Sequence, residues 1–173
     1  MRTKIISLFT TIWWVGLLDL WTKRWALANL SLGPVSEFMG GFVPLTLAFN
    51  KGAAFGISIG SDSRWLFVPL SIVALGLLIH ILQKSAQEDY LRILACSFVI
   101  AGALGNLYDR IRWTRGVVDF IGPVDLGFML WPIFNVADMA ISCGAFLLAI
   151  SFWKEENELA QTLPNHEGTG STQ

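Results

Sequence analysis

The sequence has few charged residues, only two histidines and only two cysteines. Charged side chains make up 14% of its 173 residues, against about 25% in a typical soluble domain, and 54% of the residues are hydrophobic. This deficit of charge excludes an ordinary water-soluble globule and indicates an integral membrane protein. The net charge of −1 and the lack of a long basic stretch give no indication of a nucleic-acid partner.

The shortage of histidine and cysteine also limits the chemistry. His80 lies near the end of an apolar segment and His166 lies in the C-terminal tail, so neither is expected to reach a common site. A metallopeptidase with histidine ligands and a Ser-His-Asp hydrolase are therefore not indicated. Cys96 and Cys143 lie inside apolar runs, which argues against a disulfide framework. We expect neither a metal nor another cofactor.

Four long apolar segments are present, and they predict four transmembrane helices. Each is close to the roughly 20 residues that a helix needs to cross the hydrocarbon core of a bilayer. The predicted spans are residues 5–18 (continuing as helix to about residue 28), 65–82, 93–108 and 136–153. Small residues crowd the third segment, which favours close contact between helices.

The connections between the predicted helices differ in length and composition. A short polar loop joins helices two and three, whereas the other two connections are long and contain the β-prone runs FVPLTLAF, GVVDFIG and FMLWPIF. The sequence therefore predicts a membrane all-α fold with minor β, in which the two long connections build a small β-sheet element. Residues 1–153 are predicted to form one membrane domain, and residues 154–173 a tail that is charged at first and then disordered.

Four spans also fix which segments share a side of the membrane. Both long connections lie on one side, and both termini and the short loop lie on the other. Lys and Arg are divided almost evenly between the two sides, so the positive-inside rule does not decide the orientation.

The polar residues next to the predicted spans concentrate on the side of the long connections. Charge at the edge of the hydrocarbon is costly, so such a concentration suggests a function. The candidate site residues are Asp19, Lys23, Asn50, Gly52, Asn106, Arg110, Asp119, Asn135 and Asp138.

Each candidate also has an ordinary structural interpretation. Asn135 is a good helix N-cap, and Asp138 follows three residues later, where it complements the helix dipole. Asp119 could be a turn or surface residue, and Asp19 with Lys23 could be an interfacial ion pair at positions i and i+4. Asn106 and Arg110 could mark a helix end with a snorkelling arginine, and Gly52 could belong to a tight turn.

Two carboxylates that lie together can share a proton and activate water for hydrolysis of a peptide bond. Asp119 and Asp138 are the candidates, since no serine stands out as a nucleophile and no histidine is available. A non-enzymatic protein with a proton or ion path is an alternative, although such a path usually places charges along the depth of the bilayer. A presenilin-type protease is another, but its Gly-x-Gly-Asp signature is not present.

Five motifs together resemble the bacterial lipoprotein signal peptidases (signal peptidase II). They are DLWTK (19–23), NKGAAFG (50–56), AGALGNLYDR (101–110), VVDFI (117–121) and FNVAD (134–138), and they occur in the order typical of that family. The departures are mild: Ala101 replaces a common glycine, Tyr108 a common aliphatic residue, and Met139 a frequent small residue.

The resemblance implies an aspartic endopeptidase that cuts diacylglyceryl-modified prolipoproteins just before the lipidated cysteine. It implies that Asp119 and Asp138 are catalytic and that the other seven candidates bind substrate or support the site. It also implies an extracytoplasmic β-sheet element, both termini in the cytoplasm and an active site toward the outer face of the inner membrane. The expected partners are lipidated prolipoprotein and membrane lipid, and a monomer is expected.

Overall fold

The computed structural model describes residues 2–38, 43–52 and 64–162, and these residues form four long helices and five short strands. The elements in chain order are α1 (Arg2–Asn29), β1 (Ser36–Phe38), β2 (Val43–Asn50), α2 (Arg64–Lys84), α3 (Tyr90–Arg112), β3 (Val117–Ile121), β4 (Val124–Asp125), β5 (Leu130–Trp131) and α4 (Val136–Thr162). The predicted fold class, four helices with a minor β element, is confirmed.

All four helices are long and apolar enough to cross a membrane. Each extends beyond the apolar segment that predicted it, because polar residues at the ends of a span continue the helix toward water. The largest extension is in α4, which passes residue 153 and includes the charged run KEENELAQ before it ends at Thr162. Residues 163–173, predicted to be disordered, lie outside the described residues.

Helix α3 lies at the centre of the bundle and packs against the other three helices. Its glycines allow this close approach, as the small residues of the third segment predicted. A Cβ on Gly102 would lie 2.3 Å from the backbone oxygen of Ala137 in α4, so a larger residue has no room there. A buried apolar cluster holds α2 against α3; it comprises Leu75, Leu82, Ile93, Cys96, Ile100 and Leu107.

The two long connections form a small β-element at one end of the bundle. Strands β1, β2 and β3 make an antiparallel sheet in that order, with Ala48 opposite Asp119. The β-prone runs around β2 and β3 were predicted correctly. The run FMLWPIF forms only the two-residue strand β5, which pairs with β4 in a separate hairpin, and β1 and β4 were not predicted.

Contacts at the end of the bundle opposite the sheet confirm that the start of α1, the loop between α2 and α3, and the last part of α4 lie together, as predicted. The Lys4 ammonium, at the start of α1, donates to the backbone oxygens of Gln83 and Ser85, at the end of α2. Arg92, at the start of α3, binds Glu155 in the last part of α4 at 2.9 Å. The end of α1, the end of α3 and the start of α4 therefore meet at the other end, beside the sheet.

Candidate active site

Asp119 projects from the middle of β3 and is only 2% exposed. Asn135 holds the Asp119 side chain in place. The backbone of Phe134 pairs with Ile121 of β3, and this pairing places Asn135, the residue after Phe134, beside Asp119. The Asn135 side-chain amide donates to Asp119 Oδ1 at 2.6 Å and to the backbone oxygen of Val118 at 3.3 Å. Asn135 is itself fully buried.

Asp138 lies in the first turn of α4 and is half-buried. Its Oδ1 accepts a hydrogen bond from the Asn106 amide at 2.7 Å, and its Oδ2 accepts from the backbone N–H of Asn135 at 3.2 Å. The Asn135 side chain returns the contact, since its Oδ1 accepts from the backbone N–H of Asp138 at 2.9 Å. This reciprocal pair is a capping box, which caps the start of α4 and fixes the Asp138 side chain.

The two aspartates are connected through the two asparagines. Asn135 Nδ2 lies 3.1 Å from Asn106 Oδ1, while the same two side chains donate to Asp119 and Asp138, respectively. The structure therefore joins β3, α3 and α4 through one continuous line of side-chain hydrogen bonds, and both candidate carboxylates lie on it.

Lys23 of α1 contacts this line of hydrogen bonds at Asn106 and is 3% exposed. Its ammonium group lies 2.7 Å from Asp19 Oδ2, 2.9 Å from Asp109 Oδ2 and 3.2 Å from Asn106 Oδ1. One buried cation thus contacts two carboxylates and orients the amide of Asn106. Because Asn106 Oδ1 accepts from Lys23 and Asn135, the Asn106 Nδ2 group points the other way and donates to Asp138.

Asp19 connects α1 to the start of α4. Its Oδ1 accepts from the backbone N–H of Ala137 at 3.0 Å, one of the helical N–H groups that have no partner inside their own helix. Gly105 of α3 makes room for this carboxylate, because a Cβ at that position would lie 2.8 Å from Asp19 Oδ2. Asp19 is fully buried.

Asp109 was missed by the sequence reasoning. It is 2% exposed, pairs with Lys23, and accepts a hydrogen bond at Oδ2 from the backbone N–H of Val118 at 3.2 Å. It therefore fixes the residue that precedes Asp119 in β3. A signal was present, since Asp109 follows Asn106 by three residues and so shares its helix face.

Asn50, Gly52 and Arg110 lie around this core. Asn50 ends β2, where its side chain lowers the pKa of the Asp119 carboxyl, and it accepts at Oδ1 from the backbone N–H of Gly52 at 2.8 Å. Gly52 has φ of +96°, and a Cβ there would overlap the ring of Phe67. Arg110 extends over that same ring, 5.4 Å from its centroid. Residues 53–56 of the NKGAAFG motif lie outside the described residues.

The surroundings of Asp119 favour its protonated form. Burial raises the pKa of the Asp119 carboxyl to about 7, and the nearby charge of Asp138 adds to the rise. Hydrogen bonds from Asn135 and Asn50 and the charge of Lys23 oppose it but do not cancel it. A carboxyl that titrates near neutral pH is suited to exchange protons in a reaction.

The structure thus brings all nine predicted residues to one end of the bundle, and it decides between their interpretations. The capping interpretation of Asn135 and Asp138 is right, and the same two residues also belong to the buried network. Asp19 and Lys23 form the expected ion pair, but it is buried between helices instead of lying at the interface.

Comparison with known proteins gives a consistent answer. A family model described as "Signal peptidase (SPase) II" matches residues 11–154. A lipoprotein signal peptidase of Streptococcus pyogenes (serotype M2, strain MGAS10270) is 39% identical over 140 residues, which cover 81% of this chain and 88% of that protein. A lipoprotein signal peptidase of Streptococcus thermophilus (strain CNRZ 1066) matches with the same identity and coverage.

Two solved structures are also similar. Both are described as bacterial membrane enzymes determined by the in meso method, at 1.9 and 2.3 Å resolution. The first has a TM-score of 0.77 and 33% identity and covers 87% of this chain and 94% of its own. The second has a TM-score of 0.76 and 30% identity and covers 99% and 96%.

Proposed function

The chain belongs to the signal peptidase II family, and we propose that it cuts diacylglyceryl-modified prolipoproteins just before the lipidated cysteine, with Asp119 and Asp138 as the catalytic pair. Membership of the family makes the protein a membrane-bound peptidase that acts in removal of lipoprotein signal peptides. The catalytic residues, the position of the cut and the mechanism are our proposals.

The observation that carries the proposal is the line of hydrogen bonds between Asp119 and Asp138. The two carboxylates are coupled electrostatically and are held by Asn135 and Asn106, whose amides leave little freedom for either carboxyl. Two coupled carboxylates in a poorly solvated site cannot both ionise cheaply, so the pair retains one proton. A pair with one proton contains a general acid and a general base together.

We assign the proton to Asp119 and the negative charge to Asp138. Asp119 is 2% exposed and its pKa is raised to about 7, so burial favours its neutral form. Asp138 is more exposed than Asp119, accepts a hydrogen bond at each oxygen, and lies at the positive end of the α4 dipole; the hydrogen bonds and the dipole stabilise a carboxylate.

The proposed reaction begins when the Asp138 carboxylate takes a proton from a water molecule, whose oxygen attacks the scissile carbonyl carbon. Asp119 gives its proton to the carbonyl oxygen, so that a neutral gem-diol forms. Asp138 then protonates the amide nitrogen as the C–N bond breaks, and Asp119 recovers a proton from a diol hydroxyl. The cycle returns both carboxyls to their starting states, as general acid–base catalysis requires.

The surrounding polar residues have supporting roles in this proposal. Asn50 and Arg110 lie at the edge of the buried core, and we assign them to contacts with substrate carbonyls or lipid. Gly52 allows the chain to turn tightly against α2 beside them. Asp19, Lys23 and Asp109 do not contact substrate; they hold Asn106 and β3 in position.

The proposal also includes an orientation. Both termini lie in the cytoplasm, and the sheet and the aspartate pair face the outer side of the bacterial inner membrane. The basic residues Arg2 and Lys4 near the N-terminus support this arrangement. We further propose that residues 1–153 act as a monomeric catalytic domain, with residues 154–173 as a cytoplasmic tail.

The test is hydrolysis of a diacylglyceryl-modified prolipoprotein by the purified protein, with mass spectrometry to locate the cut. Asp119→Asn and Asp138→Asn keep the shape of the side chain and should each reduce the rate by about 10²–10⁴-fold or more. Asp125→Asn is the matched control, because Asp125 is exposed in β4 and its side chain accepts a hydrogen bond from Gly127 in the adjoining turn, away from the aspartate pair. Chelators should leave the rate unchanged.

Thermal unfolding in micelles shows whether each variant is folded. Rates within a few-fold of wild type for both folded variants would refute the aspartate pair. A cut at any other peptide bond would refute the assigned cleavage position.

A further inference from the structure

A groove of about 330 Å³ lies between α1 and α3, at the end of the bundle that carries the buried network. Leu20, Leu27 and Ala28 of α1 give it an apolar wall, and Arg24 and Arg112 are the exposed cations that line it. We propose that this groove binds the phosphate headgroup of an anionic phospholipid. The proposal does not depend on the peptidase mechanism.

Charge favours an anion in this groove. Lys23 and Asp109 form its buried floor, 2.9 Å apart, and together with Asp19, 2.7 Å from Lys23, they make a cluster with one formal negative charge. Among the residues that the structure describes, neither Arg24 nor Arg112 has a carboxylate partner. The two guanidinium groups outweigh the single negative charge of the floor, so the groove is positive overall, and a guanidinium matches the geometry of a phosphate oxygen pair.

Arg112 is held in place before any ligand arrives. Its guanidinium donates to the hydroxyl of Tyr108 and lies 4.8 Å from the centroid of the Trp113 ring. A side chain that is fixed by neighbours loses less entropy on binding than a free one.

The position of the groove selects a lipid over a soluble anion. It lies along two helices that are long and apolar enough to span a membrane, close to where both of them end. Tyr and Trp are typical of the interface, at the level of the headgroups, and Tyr108 and Trp113 lie at this level of the bundle. Leu20, one helical turn nearer the middle of the bundle than Arg24, gives an acyl chain an apolar surface to follow.

Native mass spectrometry of the protein released from micelles tests the proposal. The added lipids are phosphatidylglycerol, which is anionic, and phosphatidylcholine with the same acyl chains, which is neutral overall. The wild-type protein should retain phosphatidylglycerol in preference to phosphatidylcholine. Arg24→Gln and Arg112→Gln should each weaken retention of phosphatidylglycerol about fivefold, which corresponds to about 1 kcal/mol for one cation near a membrane surface.

Three further variants separate a built site from a general effect of charge. Lys51→Gln removes one positive charge at the same end of the bundle, at an exposed position outside the groove, and should leave retention unchanged. Ala28→Phe keeps both arginines but fills the groove, and should weaken retention. Arg112→Lys keeps the charge but lacks the guanidinium, and it is the variant to use if Arg112→Gln unfolds; it should weaken retention, but by less than Arg24→Gln does.

Equal retention of the two lipids by the wild-type protein would overturn the proposal. So would an Arg24→Gln/Arg112→Gln double variant that holds phosphatidylglycerol as well as wild type does, or a loss on Lys51→Gln as large as that on Arg112→Gln.

Discussion

The two ends of the helical bundle each have a cation between two carboxylates, but in different surroundings. At the end near the sheet, Lys23 contacts Asp19 and Asp109, and none of the three side chains is more than 3% exposed. At the opposite end, Arg92 contacts Asp89 and Glu155, whose side chains are 27% and 52% exposed.

The difference indicates what each cluster contributes. An exposed ion pair costs little to form and stabilises little, so the Arg92 cluster needs no function beyond joining α3 to α4. A buried ion pair loses the hydration of both charges, and apolar residues of similar size would often be at least as stable. Retention of Lys23 between two buried carboxylates is therefore better explained by the position it imposes on Asn106 and β3.

The largest expected effect that separates the two ends comes from removing each cation. Lys23→Met leaves Asp19 and Asp109 buried without a counter-charge and should lower the free energy of unfolding by about 3–5 kcal/mol. Arg92→Met, its matched control, should lower it by about 1 kcal/mol or less. Chemical unfolding in mixed micelles measures both values. Similar losses for the two variants would show that burial does not distinguish the clusters.

The next effect concerns the amide that connects Lys23 to the aspartate pair. Asn106→Leu removes the donor to Asp138 and the acceptor for Lys23 and Asn135, so turnover should fall about 10–150-fold, as expected from about 1.5–3 kcal/mol for a hydrogen bond to a charged group. Ser97→Ala is the control, because Ser97 is a buried residue of α3 that donates only to Ile93. A rate unaffected by Asn106→Leu would separate the network from catalysis.

A smaller effect should follow from overpacking the buried end. Gly105→Ala places a methyl group 2.8 Å from Asp19 Oδ2 and should cost about 1–3 kcal/mol of stability. Gly76→Ala in α2 meets no atom within 4 Å and should stabilise the protein by up to about 1 kcal/mol through helix propensity. The two melting temperatures should shift in opposite directions, and a shift of the same sign would contradict the packing of Asp19 against α3.

The last effect, the smallest when taken for a single pH unit, is a change of stability with pH that depends on Asp119. Its pKa is raised from 3.8 to about 7, so between these values the folded protein holds a proton that the unfolded chain has lost. Stability should therefore fall as pH rises through this window, by up to about 1.4 kcal/mol per pH unit from this group, and level off above about pH 7. Asp119→Asn should lack this contribution. Parallel curves for wild type and variant from pH 5 to pH 8 would argue against a raised pKa.

The sequence allowed the fold and most of the site to be predicted, because the signals for both are local. Apolar length defined four spans, and the span count alone placed Asp19, Asn106, Asp119 and Asp138 at the same end of the bundle. The two-residue strands β4 and β5 were hard to predict because their pairing depends on a turn and not on an alternating pattern. Asp109 was missed because neither of its partners is evident from the sequence. Lys23 is distant along the chain, and Val118 binds Asp109 through its backbone N–H.

By itself, the sequence determined the membrane location, the four helices, the family and the two candidate carboxylates, since composition, periodicity and motif order are properties of short stretches. Only the tertiary structure decided that Asn135 and Asn106 connect Asp119 to Asp138, that Lys23 is buried, and that burial raises the pKa of Asp119. The physical reason is that burial and hydrogen bonding depend on which segments meet in space. The same capping residues that start α4 become part of a buried network only when β3 and α3 pack against them.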